Sequence, residues 1–160
     1  VAALPPTEET DALVLGYALE GIRMAGTFGT YRRVAADGVI TEDDGLKTQV
    51  KAGDRVYVSS LSASKDPNSF PNPETVDPRR SPDLYIHYGA DPLDSITRDI
   101  SKVALTELFR AVFRKKNLRR VNGPQGQLKK VTRTGNYAYL TEDWGTSTPF
   151  PTTMKVIWDE

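Results

Sequence analysis

The sequence has no cysteine, one histidine and no net charge, because 21 Lys and Arg stand against 21 Asp and Glu in 160 residues. Without a thiol the chain can form no disulfide, iron–sulfur or cysteine–zinc site, and it has no thiolate nucleophile or ligand. A single histidine excludes a two-histidine metal site. Electroneutrality removes any whole-chain attraction to nucleic acid or to an anionic bilayer and leaves only local patches to consider. No apolar run approaches the length of about 18 residues that a membrane-spanning helix needs. The opening Val1-Ala2-Ala3-Leu4-Pro5-Pro6 lacks a basic leader and a long apolar core, so it does not read as a signal peptide, and a start at Val1 is read as the edge of a fragment.

Helical periodicity occurs twice. Pro5 to Asp11 is an acidic, proline-containing lead-in with Thr7 or Thr10 as the expected cap. From Asp11 to Ala25, Leu15, Leu19 and Ile22 share one side, with Leu13, Tyr17 and Met24 around the other, which predicts a deeply packed helix ended by Gly26 and Gly29. Short extended pieces follow at 28–36, 39–40, 46–50 and 55–59. Asp37-Gly38, Asp44-Gly45 and Gly53-Asp54 punctuate them into a small hairpin-rich sheet. Residues 66–82 form a long Pro- and Asn-rich stretch of the kind that is usually functional or structurally special. A second helix is expected from about Asp94 to Lys116, again with an apolar belt (Ile96, Ile100, Val103, Leu108, Phe109, Val112, Phe113) too broad for a surface helix. The tail offers strand candidates at 137–140 and 154–158.

Glu20 and Arg23 are neighbours on the first helix at i, i+3. They read either as a surface pair, worth a few tenths of a kcal/mol, or as a buried ion-pair node that fixes the Pro-rich loop, with Arg80 as third member. The run Arg114-Lys115-Lys116-Asn117-Leu118-Arg119-Arg120 is read as the solvated C-terminus of the second helix, where cations complement the macrodipole. Docking on an acidic partner domain or an anionic membrane is the alternative. The run lacks the interleaved aromatics that single-stranded nucleic acid needs, so nucleic acid is set aside.

In order along the chain stand Glu20-Gly21-Ile22-Arg23, Gly53-Asp54-Arg55-Val56, Lys65-Asp66-Pro67 with Phe70-Pro71-Asn72-Pro73, and Asp77-Pro78-Arg79-Arg80. This series resembles the Glu-x-x-Arg helix, G-x-x-V strand, R-D-P…F-P-x-P turn and P-x-R meander of the haem-thiolate (cytochrome P-450) enzymes. Tyr85-Ile86-His87-Tyr88-Gly89 and Ala25-Gly26-Thr27-Phe28-Gly29-Thr30-Tyr31-Arg32 are most similar to the C-terminal domain of the fungal fatty-acid dioxygenases, the linoleate diol synthases and psi-factor-producing oxygenases. The resemblance implies an α+β fold, the C-terminal portion of a haem-thiolate domain spanning 1–160, with two long buried helices, small hairpin sheets and a Pro-rich meander. It also implies a parent that uses haem to make a fatty-acid hydroperoxide, and an N-terminal remainder as this segment's partner. A homo-oligomer, and an intracellular location that is cytoplasmic or membrane-peripheral, are further expectations.

The haem loop departs from the family pattern F-x-x-G-x-x-x-C-x-G, which falls on Tyr88, Asp91, Ser95 and Thr97: the aromatic stays, but both glycines and the cysteine are gone. The thiolate supplies the electron density that favours O–O cleavage, and a neutral Ser95 hydroxyl is a poor substitute. Leu93 stands where the family offers a basic residue to a haem propionate, and Asp91 and Asp94 add negative charge. The loop is therefore read as degenerate, Ser95 as a vestigial ligand position, and Asp94 or Ser95 as the N-cap of the second helix. No cofactor is expected on the segment itself. His87 is displaced from the ligand register, so hydrogen bonding is its default role. A hydrolase triad of Ser95 or Ser101 with His87 and Asp91 has no G-x-S-x-G elbow to support it. The function expected is a non-catalytic, structural segment of a fatty-acid dioxygenase. The rivals are a haem-binding hydroperoxide isomerase or monooxygenase with an altered axial ligand, and an autonomous non-haem binding module.

Overall fold

The computed structural model describes residues 4–26, 29–42, 44–89, 96–133, 136–141, 143, 145–148 and 154–160. Helix α1 runs Glu8–Ala25. Thr7 is its N-cap, its hydroxyl accepting from the Thr10 N–H at 3.3 Å while the Thr10 hydroxyl accepts from the Thr7 N–H at 3.0 Å, so both threonines share the capping. Glu8, Glu9 and Asp11 in the first turn and Arg23 in the last complement the helix dipole. Because the cap lies at Thr7, the helix begins before Asp11. Burial is one-sided: Val14, Ala18, Leu19, Glu20 and Arg23 are buried while Tyr17 is exposed.

The extended pieces pair as two nested antiparallel ladders. Strand β1 (Gly29–Arg33) pairs with β4 (Arg55–Ser59), from Gly29 opposite Ser59 to Arg33 opposite Arg55. Between them β2 (Gly38–Thr41) pairs with β3 (Lys47–Val50). One-turn helix α2 (Ser60–Ala63), capped by the Ser59 hydroxyl, leads into the proline-rich stretch, an irregular meander returning beneath α1.

Helix α3 runs Arg98–Phe113 and packs on α1. Its N-cap position is Thr97, which corrects the expectation of a start at Asp94 with Asp94 or Ser95 as cap; residues 90–95 lie outside the described ones. The belt is not enclosed either. Ile100, Val103, Leu108, Val112 and Phe113 are exposed, and the buried side carries Thr106 and Arg110. The helix stops at Phe113 with Arg114 as its C-cap, so the start of the basic run is the helix end expected and the rest of it is not. Residues Lys116–Arg120 form strand β5, antiparallel to β9 (Val156–Asp159), with Arg119 and Asn117 both bonded to Asp159 (2.8 and 3.0 Å) and the Lys115 ammonium 5.1 Å from the Trp158 ring centroid. Strands β6 (Lys130–Arg133), β7 (Asn136–Leu140) and β8 (Ser147–Thr148) make a three-stranded meander in that order.

The core lies where α1 meets the meander: Leu19, Phe70 and Tyr85 are buried together, with Leu15 and Tyr88 packed against them. Gly16 sets how closely the two approach, since a Cβ there would stand 2.0 Å from the Pro78 carbonyl oxygen. Gly16→Ala must push backbone from backbone and is expected to cost about 2 kcal/mol in urea unfolding. Gly21→Ala on the same helix meets nothing within 4 Å and is expected to be neutral or slightly stabilising.

Candidate functional site

Glu20, Arg23 and Arg80 come together beneath α1. Helical spacing sets Arg23 one turn beyond Glu20, and the guanidinium binds the carboxylate through two parallel bonds, Nε to Oε1 at 2.7 Å and Nη2 to Oε2 at 2.9 Å. Both side chains are fully buried. The remaining Arg23 donors reach the meander backbone: Nη1 to the carbonyls of Ser64 (3.1 Å) and Pro73 (2.6 Å), and Nη2 to that of Thr75 (3.1 Å). Glu20 in turn accepts from the Asp77 N–H at 2.9 Å and the Tyr85 hydroxyl at 2.8 Å. A loop without regular secondary structure thus has its backbone groups satisfied by one helix's side chains, which gives it a single conformation.

Arg80 is the looser third member. Its Nε lies 3.7 Å from Glu20 Oε1 and has no hydrogen-bond acceptor among the described residues, and its Nη2 donates to the Asn72 and Thr75 carbonyls at 3.2 and 3.4 Å. Both guanidiniums lie near the face of Phe70, at 5.2 Å for Arg23 and 5.9 Å for Arg80. Burial pushes the Glu20 carboxyl up, but the bonds from Arg23, Asp77 and Tyr85 and the charge of Arg23 outweigh it and hold the group at about 2. Burial, and then the bond to Glu20, push the Tyr85 hydroxyl well above its usual value.

Tyr85 continues into an aromatic row with His87 (5.4 Å between centroids) and Tyr88 (6.5 Å from His87). His87 Nε2 lies 3.2 Å from the Leu19 carbonyl oxygen. A carbonyl only accepts, so Nε2 carries the proton. Burial lowers the imidazole's pKa below 6.5, more than the Leu19 bond raises it. A depressed folded-state value means that the neutral ring stabilises the fold fully above about 6.5 and that this stability is lost as pH falls towards the folded value. The urea midpoint is therefore expected to fall between pH 7.5 and 5, and His87→Gln to flatten that slope.

Of the degenerate loop, Tyr88 is described and packs on the core, its hydroxyl buried with no hydrogen-bond partner among the described residues. Thr97 is the α3 cap position, while Asp91, Leu93 and Ser95 lie outside the described residues. A thiolate-ligated haem does not fit the donors of this chain, because the sequence has no cysteine. Among the described residues no group of three or more His, Cys, Asp or Glu could hold a metal ion.

Sequence reasoning missed Tyr85 as a ligand of Glu20, and it missed Arg110. Buried on α3, Arg110 binds Asp11 through Nε at 2.8 Å and again through Nη2, and also reaches the Leu4 carbonyl (3.0 Å) and the Thr10 hydroxyl (2.9 Å). The available signal was an arginine set between apolar neighbours, Phe109 and Ala111, of the belt.

No family model matches the chain. Over its full length it is 62% identical to a bifunctional dioxygenase–epoxy alcohol synthase of Fusarium oxysporum and 58% identical to one of Pyricularia oryzae. It is 42% identical over 96% of its length to psi-producing oxygenase A of Emericella nidulans. The chain spans only 12–14% of the length of these relatives. Among solved structures, CYP105N1 from Streptomyces coelicolor matches with a TM-score of 0.68 at 19% identity, over 94% of this chain and 34% of that one. CYP109E1 from Bacillus megaterium in complex with testosterone matches with a TM-score of 0.68 at 17% identity, over 96% and 37%. The chain therefore belongs with the fungal dioxygenase–epoxy alcohol synthases, psi-producing oxygenases and linoleate diol synthases, and its fold is that of the C-terminal portion of a cytochrome P-450 domain.

Proposed function

We propose that this chain is a structural, non-catalytic C-terminal segment of a haem-thiolate-like domain within a fungal fatty-acid dioxygenase. The observation that carries the reading is the sequence's lack of cysteine alongside a fully assembled Glu20–Arg23 node: the scaffold is kept and the donor that makes such a domain catalytic is not. The parent forms a fatty-acid hydroperoxide at another site, and this segment contributes packing. The exposed row Ile100, Val103, Leu108 and Val112 on α3 supports a packing role, because such a row is a surface on which the remainder of a longer polypeptide docks. Among the described residues no helix is long and apolar enough to cross a membrane.

A second reading is favoured by the names of the 58–62% identical relatives, which include an epoxy alcohol synthase activity: the domain still holds haem through another ligand. Haemin titration followed by a reduced-plus-CO difference spectrum separates the two. The structural reading expects no saturable Soret shift from the chain, nor from its His87→Ala variant. A saturable shift abolished by His87→Ala would overturn it in favour of histidine ligation.

A further inference from the structure

The chain has five asparagines, and Asn122 alone is followed by glycine. The pair stands between β5 and the 3-10 turn Pro124–Gly126. Gly123 takes φ 87°, where a side chain is rarely accommodated, so the turn itself calls for glycine after Asn122. That glycine makes the asparagine reactive. The next residue's main-chain nitrogen can close a five-membered ring on the asparagine carboxamide, and a glycine brings that nitrogen up without a Cβ in the way. Among the described residues no hydrogen bond occupies the Gly123 N–H or the Asn122 carboxamide, so none has to break before they meet. The other asparagines lack this combination. Asn68 precedes Ser69 in a closed turn, its N–H held by Asp66 at 3.1 Å and that of buried Phe70 by the Asp66 carbonyl at 2.7 Å. Asn72 precedes a proline, Asn136 a tyrosine, and Asn117 donates its amide to Asp159 at 3.0 Å.

Charge acts in the same direction. From Arg114 to Thr141 the sequence holds eight Lys and Arg and no Asp or Glu. A positive surrounding draws hydroxide and stabilises the anion formed when Gly123 loses its amide proton.

We propose that Asn122 is a site of spontaneous deamidation and isoaspartate formation, and that the product loosens the β5–β9 ladder. Hydroxide takes the Gly123 amide proton, the nitrogen bonds to Asn122 Cγ, and the bond from Cγ to Nδ2 breaks, releasing ammonia and leaving a cyclic imide. Water opens the imide on either side. Opening at Cγ gives aspartate, and opening at the main-chain carbonyl gives isoaspartate, whose main chain runs through Cβ and Cγ. The sum is hydrolysis of an amide, which needs water and no partner. In isoaspartate the extra main-chain atom enters a turn with no slack. Gly126 stands so close to Val121 that a Cβ would lie 1.8 Å from the Val121 carbonyl oxygen. The main chain of Lys155 clamps both ends, accepting from the Val121 N–H at 3.1 Å and donating to the Gln125 carbonyl at 2.9 Å. The strain passes to the adjoining pair, Arg120 opposite Val156.

The test is incubation of the folded chain at pH 8 and 37 °C, with tryptic mass mapping against an unincubated sample digested in parallel. Peptide Val121–Lys129 is expected to gain about 1 Da, an amino group exchanged for a hydroxyl, before Asp66–Arg79 does, and the intact chain to gain a more acidic isoelectric form. Asp37-Gly38 and Asp44-Gly45 isomerise without changing mass or charge, so neither signal comes from them. Asn122→Gln, which would need a six-membered ring, should remove both signals. The rate in the folded chain should lie within about tenfold of that in urea, because neither reacting group is hydrogen-bonded. In the aged acidic form, a population should exchange the amides of 116–120 and 156–159 about threefold or more faster than fresh Asn122→Asp, which carries the charge without the longer main chain. Exchange equal to that of Asn122→Asp overturns the loosening of the ladder. A first mass gain in Asp66–Arg79, or a gain at Val121–Lys129 that is absent or suppressed beyond tenfold by folding, overturns the site.

Discussion

Glu20→Ala is expected to cost about 3–5 kcal/mol in urea unfolding, enough to leave a marginally stable chain largely unfolded at 25 °C. The carboxylate has no exposed surface and accepts four hydrogen bonds from three residues: two from Arg23 nitrogens, one from the Asp77 N–H and one from the Tyr85 hydroxyl. Its loss strands two guanidiniums, Arg23 with a fully buried side chain and Arg80 with one 7% exposed, where water does not readily replace the charge. It also frees the Asp77 end of the meander. Arg80→Ala is expected to cost only about 1 kcal/mol. Arg80 stands 3.7 Å from the carboxylate, its carbonyl bonds are long, and its departure leaves the one-to-one Glu20–Arg23 pair intact. Sequence spacing gives Arg80 the same weight as its partners, and the geometry ranks it well below them. The acid limb supplies a second readout. Glu20 is held at about 2 against an ordinary 4.5, so its contribution is complete above about 4.5 and is lost as pH falls towards 2. Equal losses from the Glu20 and Arg80 variants would reject this ranking.

What the sequence revealed and what it concealed divide along physical lines. Helix α1 was legible because its signals are local: the Thr7 and Thr10 cap, the acidic first turn and an apolar repeat all fall within one segment. The ladders were legible because Gly and Asp punctuate them, as at positive-φ Gly45 and Gly53. Periodicity misled for α3 because it reports what a helix can bury, while burial depends on what lies against it. Among the described residues Ile100 and Leu108 stay exposed. The basic run misled for a different reason. Its strand is paired with residues about 40 positions away, and nothing local to Arg114–Arg120 announces Val156–Asp159 as the partner. The same distance hid Tyr85, whose bond to Glu20 spans 65 residues.

Asp11→Ala is expected to cost about 3 kcal/mol, and Arg110→Met less than about 1, an order opposite to the one burial of the mutated residue suggests. Arg110 is 2% exposed, whereas the Asp11 side chain is 42% exposed. Removing Asp11 leaves the guanidinium buried with, among the described residues, the Leu4 carbonyl and the Thr10 hydroxyl, neither of which carries charge. It also removes an anion from the first turn of α1, where the helix dipole favours one. Removing Arg110 instead takes the buried charge away, fills its space with an apolar chain of similar length, and returns a half-exposed carboxylate to water. The two differ in their effect on helix docking as well. Arg110 joins the end of α3 to the start of α1, so Asp11→Ala should loosen that contact and speed amide exchange in the first turns of α1, while Arg110→Met keeps it by packing. Urea unfolding of both single variants and the double variant closes the cycle. Once the arginine is gone, removing Asp11 should add only the small dipole effect, and a full additive loss would show that the two side chains act independently.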